Sequence, residues 1–210
     1  MEKSPTVRFE VLGARVASAW EGLRPSTRAA VERALASAQV APKAAGAPHD
    51  TRSEWELSRL LAALDDERAG DSSARKLDAE QARELVRVAD ACAFVLHSEA
   101  RSAEVFAQLL GRALRARDYT RVDALSDTLT ARLAPPEICE LARHDNPALR
   151  AIAHEALAQQ PTSALVDLLG DPVDAEVART ALEIQADDYE CEEARWVVAA
   201  LERIDDETDE

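Results

Sequence analysis

The sequence predicts an all-α protein, and three observations carry the prediction. No segment alternates apolar and polar residues with period two over the length of a strand, whereas apolar residues recur at helical spacing throughout. The composition agrees: 47% of residues are hydrophobic, alanine and leucine dominate, aromatics make up only 4%, and β-branched runs are rare. Leu114, Leu141 and Leu168 stand 27 residues apart, each ahead of a polar break and a new apolar helical run. The C-terminal half therefore reads as stacked helical pairs, an α-solenoid preceded by an N-terminal helical portion.

In chain order, Ser4-Pro5 starts a first helix in which Phe9, Leu12, Val16, Trp20 and Leu23 form one apolar stripe. Pro25 interrupts it, and Ser26 caps a second helix with Val31, Ala34, Leu35 and Ala38 inward. Residues 1–40 are thus a helical hairpin, and residues 41–52, with two prolines, a glycine and small side chains, a linker. Residues 53–101 form a helical pair. Ser53 and Glu56 make a capping box ahead of Leu57, Leu60, Leu61 and Leu64, a polar loop spans 67–77, and Asp78 with Gln81 makes a second box. The following helix has two adjoining apolar rows, Leu85, Val88, Cys92 and Val95 beside Val86, Ala89, Ala93 and Leu96, a face wide enough for more than one neighbour.

Residues 102–205 hold the repeats. Ser102 opens a helix with Val105, Phe106, Leu109, Leu110, Ala113 and Leu114 inward. Leu114, Asp118, Val122, Leu125 and Leu129 recur 27 positions on as Leu141, Asp145, Leu149, Ile152 and Ala156. Asp118 and Asp145 suit N-caps, because a short carboxylate accepts the free N–H groups of the first turn; Pro147 at a first helical position loses no needed donor. The third copy keeps Leu168, breaks at Asp171-Pro172, has Asp174 as its cap and continues through Val177, Ala181 and Ile184. A last helix turns Trp196, Val197, Ala200, Leu201 and Ile204 inward and closes the array, and residues 206–210 form an acidic tail.

Asp145-Asn146-Pro147-Ala148-Leu149-Arg150, then Ala153 and Ala156-Leu157, resembles the second helix of a HEAT-type repeat. Leu168-Leu169-Gly170-Asp171-Pro172 with Val177 resembles the join inside the next unit. The period is short for that family, and Ala178 stands where an arginine is usual. The resemblance implies a right-handed α-solenoid of HEAT-like hairpins and a binding scaffold; it names no partner.

Charge narrows the partner. Lys+Arg number 25 against 40 Asp+Glu, a net charge of −15, which disfavours phosphate backbones and anionic membrane surfaces and suits a protein with a basic patch. Three cysteines without a C-x-x-C pair and no apolar signal segment at Met1–Pro5 point to a reducing cytoplasm. No run approaches 18 apolar residues.

Four groups of residues bear on chemistry. Glu137, Cys139, Glu140 and His144, with His154-Glu155 on the next helix, include metal-ligating types, but neither H-E-x-x-H nor paired E-x-x-H is present, and His144 suits the negative end of its helix. Ser, His and Asp occur without G-x-S-x-G, and Gly111 and Gly170 stand outside any phosphate-binding loop. Arg112, Arg115, Arg117, Arg121 and Arg132 form the one locally basic stretch and read as ion-pair partners of Asp118, Asp123 and Asp127. Trp196 reads as core and Tyr189 as an exposed aromatic.

The sequence thus points to a non-enzymatic protein-interaction scaffold without metal or cofactor. Its expected partner-binding residues are Glu140, Asp145, Asp171, Asp174, Asp187, Asp188 and Tyr189. An acidic inhibitor or immunity-type protein neutralising a basic enzyme is the alternative, and a HEAT-like nucleic-acid-modifying or metal-dependent enzyme a more distant one.

Overall fold

The computed structural model describes residues 8–37, 50–70 and 77–208, and among them every regular element is helical. Ser4-Pro5, Ala38, residues 41–49 of the expected linker, residues 71–76 of the expected loop and the last two residues of the tail lie outside the described residues. The chain divides into two compact units, Met1–Ala100 and Arg101–Glu210. Among the described residues no helix is long and apolar enough to cross a membrane.

The first unit opens with a 3-10 turn, Phe9–Val11, followed by α1 (Ala14–Glu21), α2 (Pro25–Ser37), α3 (Thr51–Ala69) and α4 (Ala79–Glu99). The expected continuous stripe from Phe9 to Leu23 is split at Gly13, whose φ of +136° only glycine adopts without strain. A Cβ there would stand 2.7 Å from Cδ of Glu67, a buried residue of α3. The stripe survives the break: Phe9, Leu12, Val16 and Leu23 are buried, and Trp20 stacks on Phe9 with ring centroids 3.8 Å apart. α1 packs on α3, α2 on α4, and α3 on α4.

Two expected caps are displaced here. α2 begins at Pro25 itself, one residue before Ser26. α3 begins at Thr51, with Asp50 as N-cap accepting from Arg52 N at 3.1 Å, so Ser53 lies inside the helix and Glu56 closes no capping box. Glu56 instead is buried, and its Oε2 accepts from the Arg24 backbone N–H (3.1 Å) and from Thr27 Oγ1 (2.8 Å), while Oε1 accepts from Arg24 Nε (2.9 Å). α3 thereby supplies the acceptor at the start of α2. The Arg24 guanidinium also donates to Asp50 at 2.6 Å and holds that carboxyl below its ordinary pKa. The Asp78–Gln81 box forms as expected, and Leu85, Val88, Ala89, Cys92, Ala93, Val95 and Leu96 of α4 are all buried.

The second unit contains α5 (Ala103–Ala116), α6 (Tyr119–Arg132), α7 (Pro135–Ala142), α8 (Pro147–Ala158), α9 (Thr162–Leu168), α10 (Ala175–Asp187) and α11 (Glu192–Thr208). Consecutive helices pair as α5 with α6, α7 with α8 and α9 with α10, while alternate helices pack as α5 on α7 on α9 on α11 and as α6 on α8 on α10. Ser102 and Asp118 cap as expected, the latter accepting from Arg121 N at 3.1 Å. α5 ends in a Schellman turn: Arg117, at φ +55°, donates to Leu114 O at 3.0 Å and Asp118 N donates to Ala113 O at 3.0 Å.

Asn146, not Asp145, caps α8, its side chain accepting from Ala148 N at 2.9 Å. The proline fixes this register: with Pro147 as first helical residue, the capping position falls on its predecessor. Asp174 precedes α10 but makes no side-chain cap; its carboxylate goes to Arg143. Gln185 of α10 is buried and spans both neighbours, donating from Nε2 to Ala158 O (2.9 Å) and Gln160 O (2.6 Å) and accepting from Thr162 Oγ1 (3.0 Å). The closing helix departs most from expectation. Ala194 is buried, whereas Trp196 is 78% and Ile204 57% exposed. The acidic end is helical through Thr208.

Candidate functional site

The second unit ends in a segment both acidic and apolar. Of nine large apolar side chains exposed among the described residues, five fall between residues 166 and 204: Val166, Val173, Tyr189, Trp196 and Ile204. The same stretch carries eleven carboxylate side chains and three arginines, a net charge of −8 in a chain whose total is −15. Exposed aromatics within a strongly acidic stretch are unusual on a surface that meets only water.

The connection from α10 to α11 shapes this end. Asp187 and Asp188 close α10, where carboxylates oppose the negative end of the helix dipole. Glu190 takes φ +52°, and Cys191 N returns to Gln185 O at 2.9 Å. Tyr189 Oη donates to Glu155 Oε1 of α8, and that carboxylate holds the phenol above its ordinary pKa. A cleft of about 490 Å³ opens beside the turn, lined by Gln160, Thr162, Gln185, Tyr189, Cys191 and Glu193 among others, and among the described residues no basic side chain lines its wall.

Cys191 occupies the position before α11, and its sulfur accepts from the Ala194 backbone amide and lies 3.7 Å from Thr162 Oγ1. These contacts pull the thiol below its ordinary pKa. Burial pushes the Cys92 and Cys139 thiols the other way, to about 12 and about 11. All three cysteines are free thiols.

The expected partner-binding residues divide. Glu140, Asp145, Asp171, Asp187, Asp188 and Tyr189 are exposed. Asp174 is 5% exposed and bound to Arg143, which makes it an internal bond and corrects its assignment to the surface. Asp187, Asp188 and Tyr189 are consecutive, and of the three Tyr189 lines the cleft; Glu140 and Asp145 belong to α7 and the turn after it. Trp196, expected in the core, is the most exposed large apolar residue described.

His144 Nδ1 accepts from Asn146 N at 3.0 Å in the α7–α8 turn, Cys139 is buried, and Glu155 serves Tyr189. His154 Nδ1 is buried without a hydrogen-bond partner, and burial with the nearby Arg150 lowers its pKa. Among the described residues no group of three or more His, Cys, Asp or Glu side chains is placed to hold a metal ion. Asp118 is engaged at the α6 N-terminus, while burial and the charges of Arg121 and Arg115 lower the pKa of Arg112.

Cys191, Thr162 and Gln185 were not singled out in the sequence. Their association rests on pairs 23 and 29 residues apart with no local motif. Comparison with protein families, curated proteins and solved structures finds no match for this chain.

Proposed function

We propose that this chain is a non-enzymatic protein-interaction module that captures a basic partner on the acidic, apolar end of its second unit. The observation that carries the reading is the coincidence of five exposed large apolar residues with a net charge of −8 between residues 166 and 204. Carboxylates steer a basic surface toward this end, and apolar anchors supply the area that holds it. Support for a HEAT-like solenoid behind this end comes from the alternate packing of α5, α7, α9 and α11 and of α6, α8 and α10. The three unbridged thiols support a cytoplasmic setting.

The test is affinity capture on the tagged protein, eluted in salt steps, with D187K/D188K as control. Basic proteins retained by the wild type and lost by the charge-reversed variant support the module. A single basic enzyme, retained in equimolar amount and inhibited, would make the module an inhibitor. Nucleic acid in the eluate, or capture indifferent to the reversal, would overturn the reading.

A further inference from the structure

α11 carries more than scattered apolar residues. Glu193, Trp196, Val197, Ala200 and Ile204 recur at three- and four-residue intervals and so share one face of the helix. Ala194 is the fully buried member, on the side that packs against α9 and α10, and the face through Trp196 and Ile204 is turned to solvent. Ala200, small and half-buried, falls between Trp196 and Ile204 on this face. The face begins at Glu193, which also lines the cleft, so the two features meet at that carboxylate. From Glu193 to Ile204 the rise is roughly 16 Å, the length of a three-turn helix.

The charges on this helix are sorted. Arg195 Nε donates to the Ala186 carbonyl at 3.0 Å and Arg203 Nε to the Ala199 carbonyl at 3.0 Å, so both arginines are drawn to backbone oxygens. Glu192, Glu193 and Glu202 are exposed. A second copy of α11 would set carboxylates against carboxylates, which like-charge repulsion disfavours. A helix with lysine or arginine beside its apolar row meets both features at once.

Resting on the proposed interaction role, we infer that the partner docks a basic amphipathic helix along Trp196, Ala200 and Ile204, with one lysine or arginine side chain entering the cleft at Glu193 and Tyr189. The apolar row sets the register. The cleft takes a cation through the Glu193 carboxylate and neutral oxygens of its wall, such as Thr162 Oγ1.

The probe is a 14-residue amphipathic peptide of leucine and lysine, compared by fluorescence anisotropy with a peptide of equal charge in which glutamine replaces leucine. The wild type is expected to prefer the leucine peptide at least tenfold. W196A should abolish that preference, and E193K should weaken the leucine peptide about tenfold; both positions are exposed, and circular dichroism should show the helix content retained. Equal binding of the two peptides would overturn the docking inference while leaving the acidic-surface reading intact. Binding of neither would overturn both. A dimer seen by sedimentation and dispersed by W196A would assign the face to a second copy and overturn the inference.

Discussion

Arg143, just past the end of α7, donates its Nη1 both to the Asp174 carboxylate and, at 3.3 Å, to the Val173 carbonyl, thereby fixing the start of α10 from 31 residues away. The two partners are unequally exposed: the Asp174 side chain is 8% accessible and the Arg143 side chain 35%. Removing the arginine leaves a buried carboxylate uncompensated, whereas removing the carboxylate leaves a guanidinium that reaches water. R143A is therefore expected to destabilise the second unit by about 2 kcal/mol and D174A by about 1 kcal/mol. Urea midpoints for the two variants check the order; equal losses would refute it.

Acid should weaken the first unit through Glu56. Burial raises its pKa, but hydrogen bonds from Arg24 N and Thr27 and the charge of Arg24 outweigh burial, so the folded value lies below the ordinary one. A carboxyl depressed on folding contributes stability that is present above its unfolded pKa and lost as pH falls through the folded one. In a W196F background the remaining tryptophans, Trp20 and Trp55, report this unit alone. Urea unfolding followed by their fluorescence should lose stability below about pH 4.5. E56Q should flatten that dependence and, at neutral pH, cost about 1–3 kcal/mol.

Arg117 holds the left-handed position of the Schellman turn with φ +55°, a conformation easier for glycine than for any residue with a Cβ. R117G is expected to stabilise the α5–α6 hairpin by about 1 kcal/mol, raising the thermal midpoint. An unchanged or lower midpoint would show that the arginine side chain contributes more than its backbone costs.

The thiols should separate by reactivity. In the native protein a water-soluble aromatic disulfide should modify Cys191 quickly and Cys92 and Cys139 only on unfolding, since burial raises the last two thiols and Cys191 is lowered. The modification rate should rise with pH through a pKa below that of an ordinary thiol. C191A should remove the fast phase; a fast phase that persists in C191A would contradict the assignment.

Helix class and most buried positions were legible because periodicity is a local property: the leucines of α3 and the two rows of α4 fall where the sequence puts them. Caps were legible only to within a residue or several. Asp145 and Asn146 are both capping residues, and only the register imposed by Pro147 separates them. Asp50, not Ser53, accepts from the first turn of α3, and Arg24, just ahead of α2, donates to both side chains, a long-range contact that no local window displays. Trp196 was misplaced for a geometric reason. A helical wheel identifies an apolar sector but not which edge of it meets the neighbour, and here packing falls on the Ala194 side. Arg143 with Asp174, and Gln185 with Thr162, bridge separate helices and leave no pattern in any short window.

The Glu56 carboxylate at the start of α2 has a consequence in time. The Arg24 N–H and the Thr27 hydroxyl donate to a residue 32 and 29 positions further along the chain. At a synthesis rate of about 5–20 residues per second, those 32 residues take roughly 2–6 s to appear. Until then α2 is a 13-residue segment without its acceptor, a length at which isolated helices are marginal in water. A peptide of residues 24–37 is expected to show little helicity by circular dichroism, and a chain arrested before Glu56 to leave α2 open to protease. The order of helices along the sequence is then not their order of birth: α3 must exist before α2 can persist.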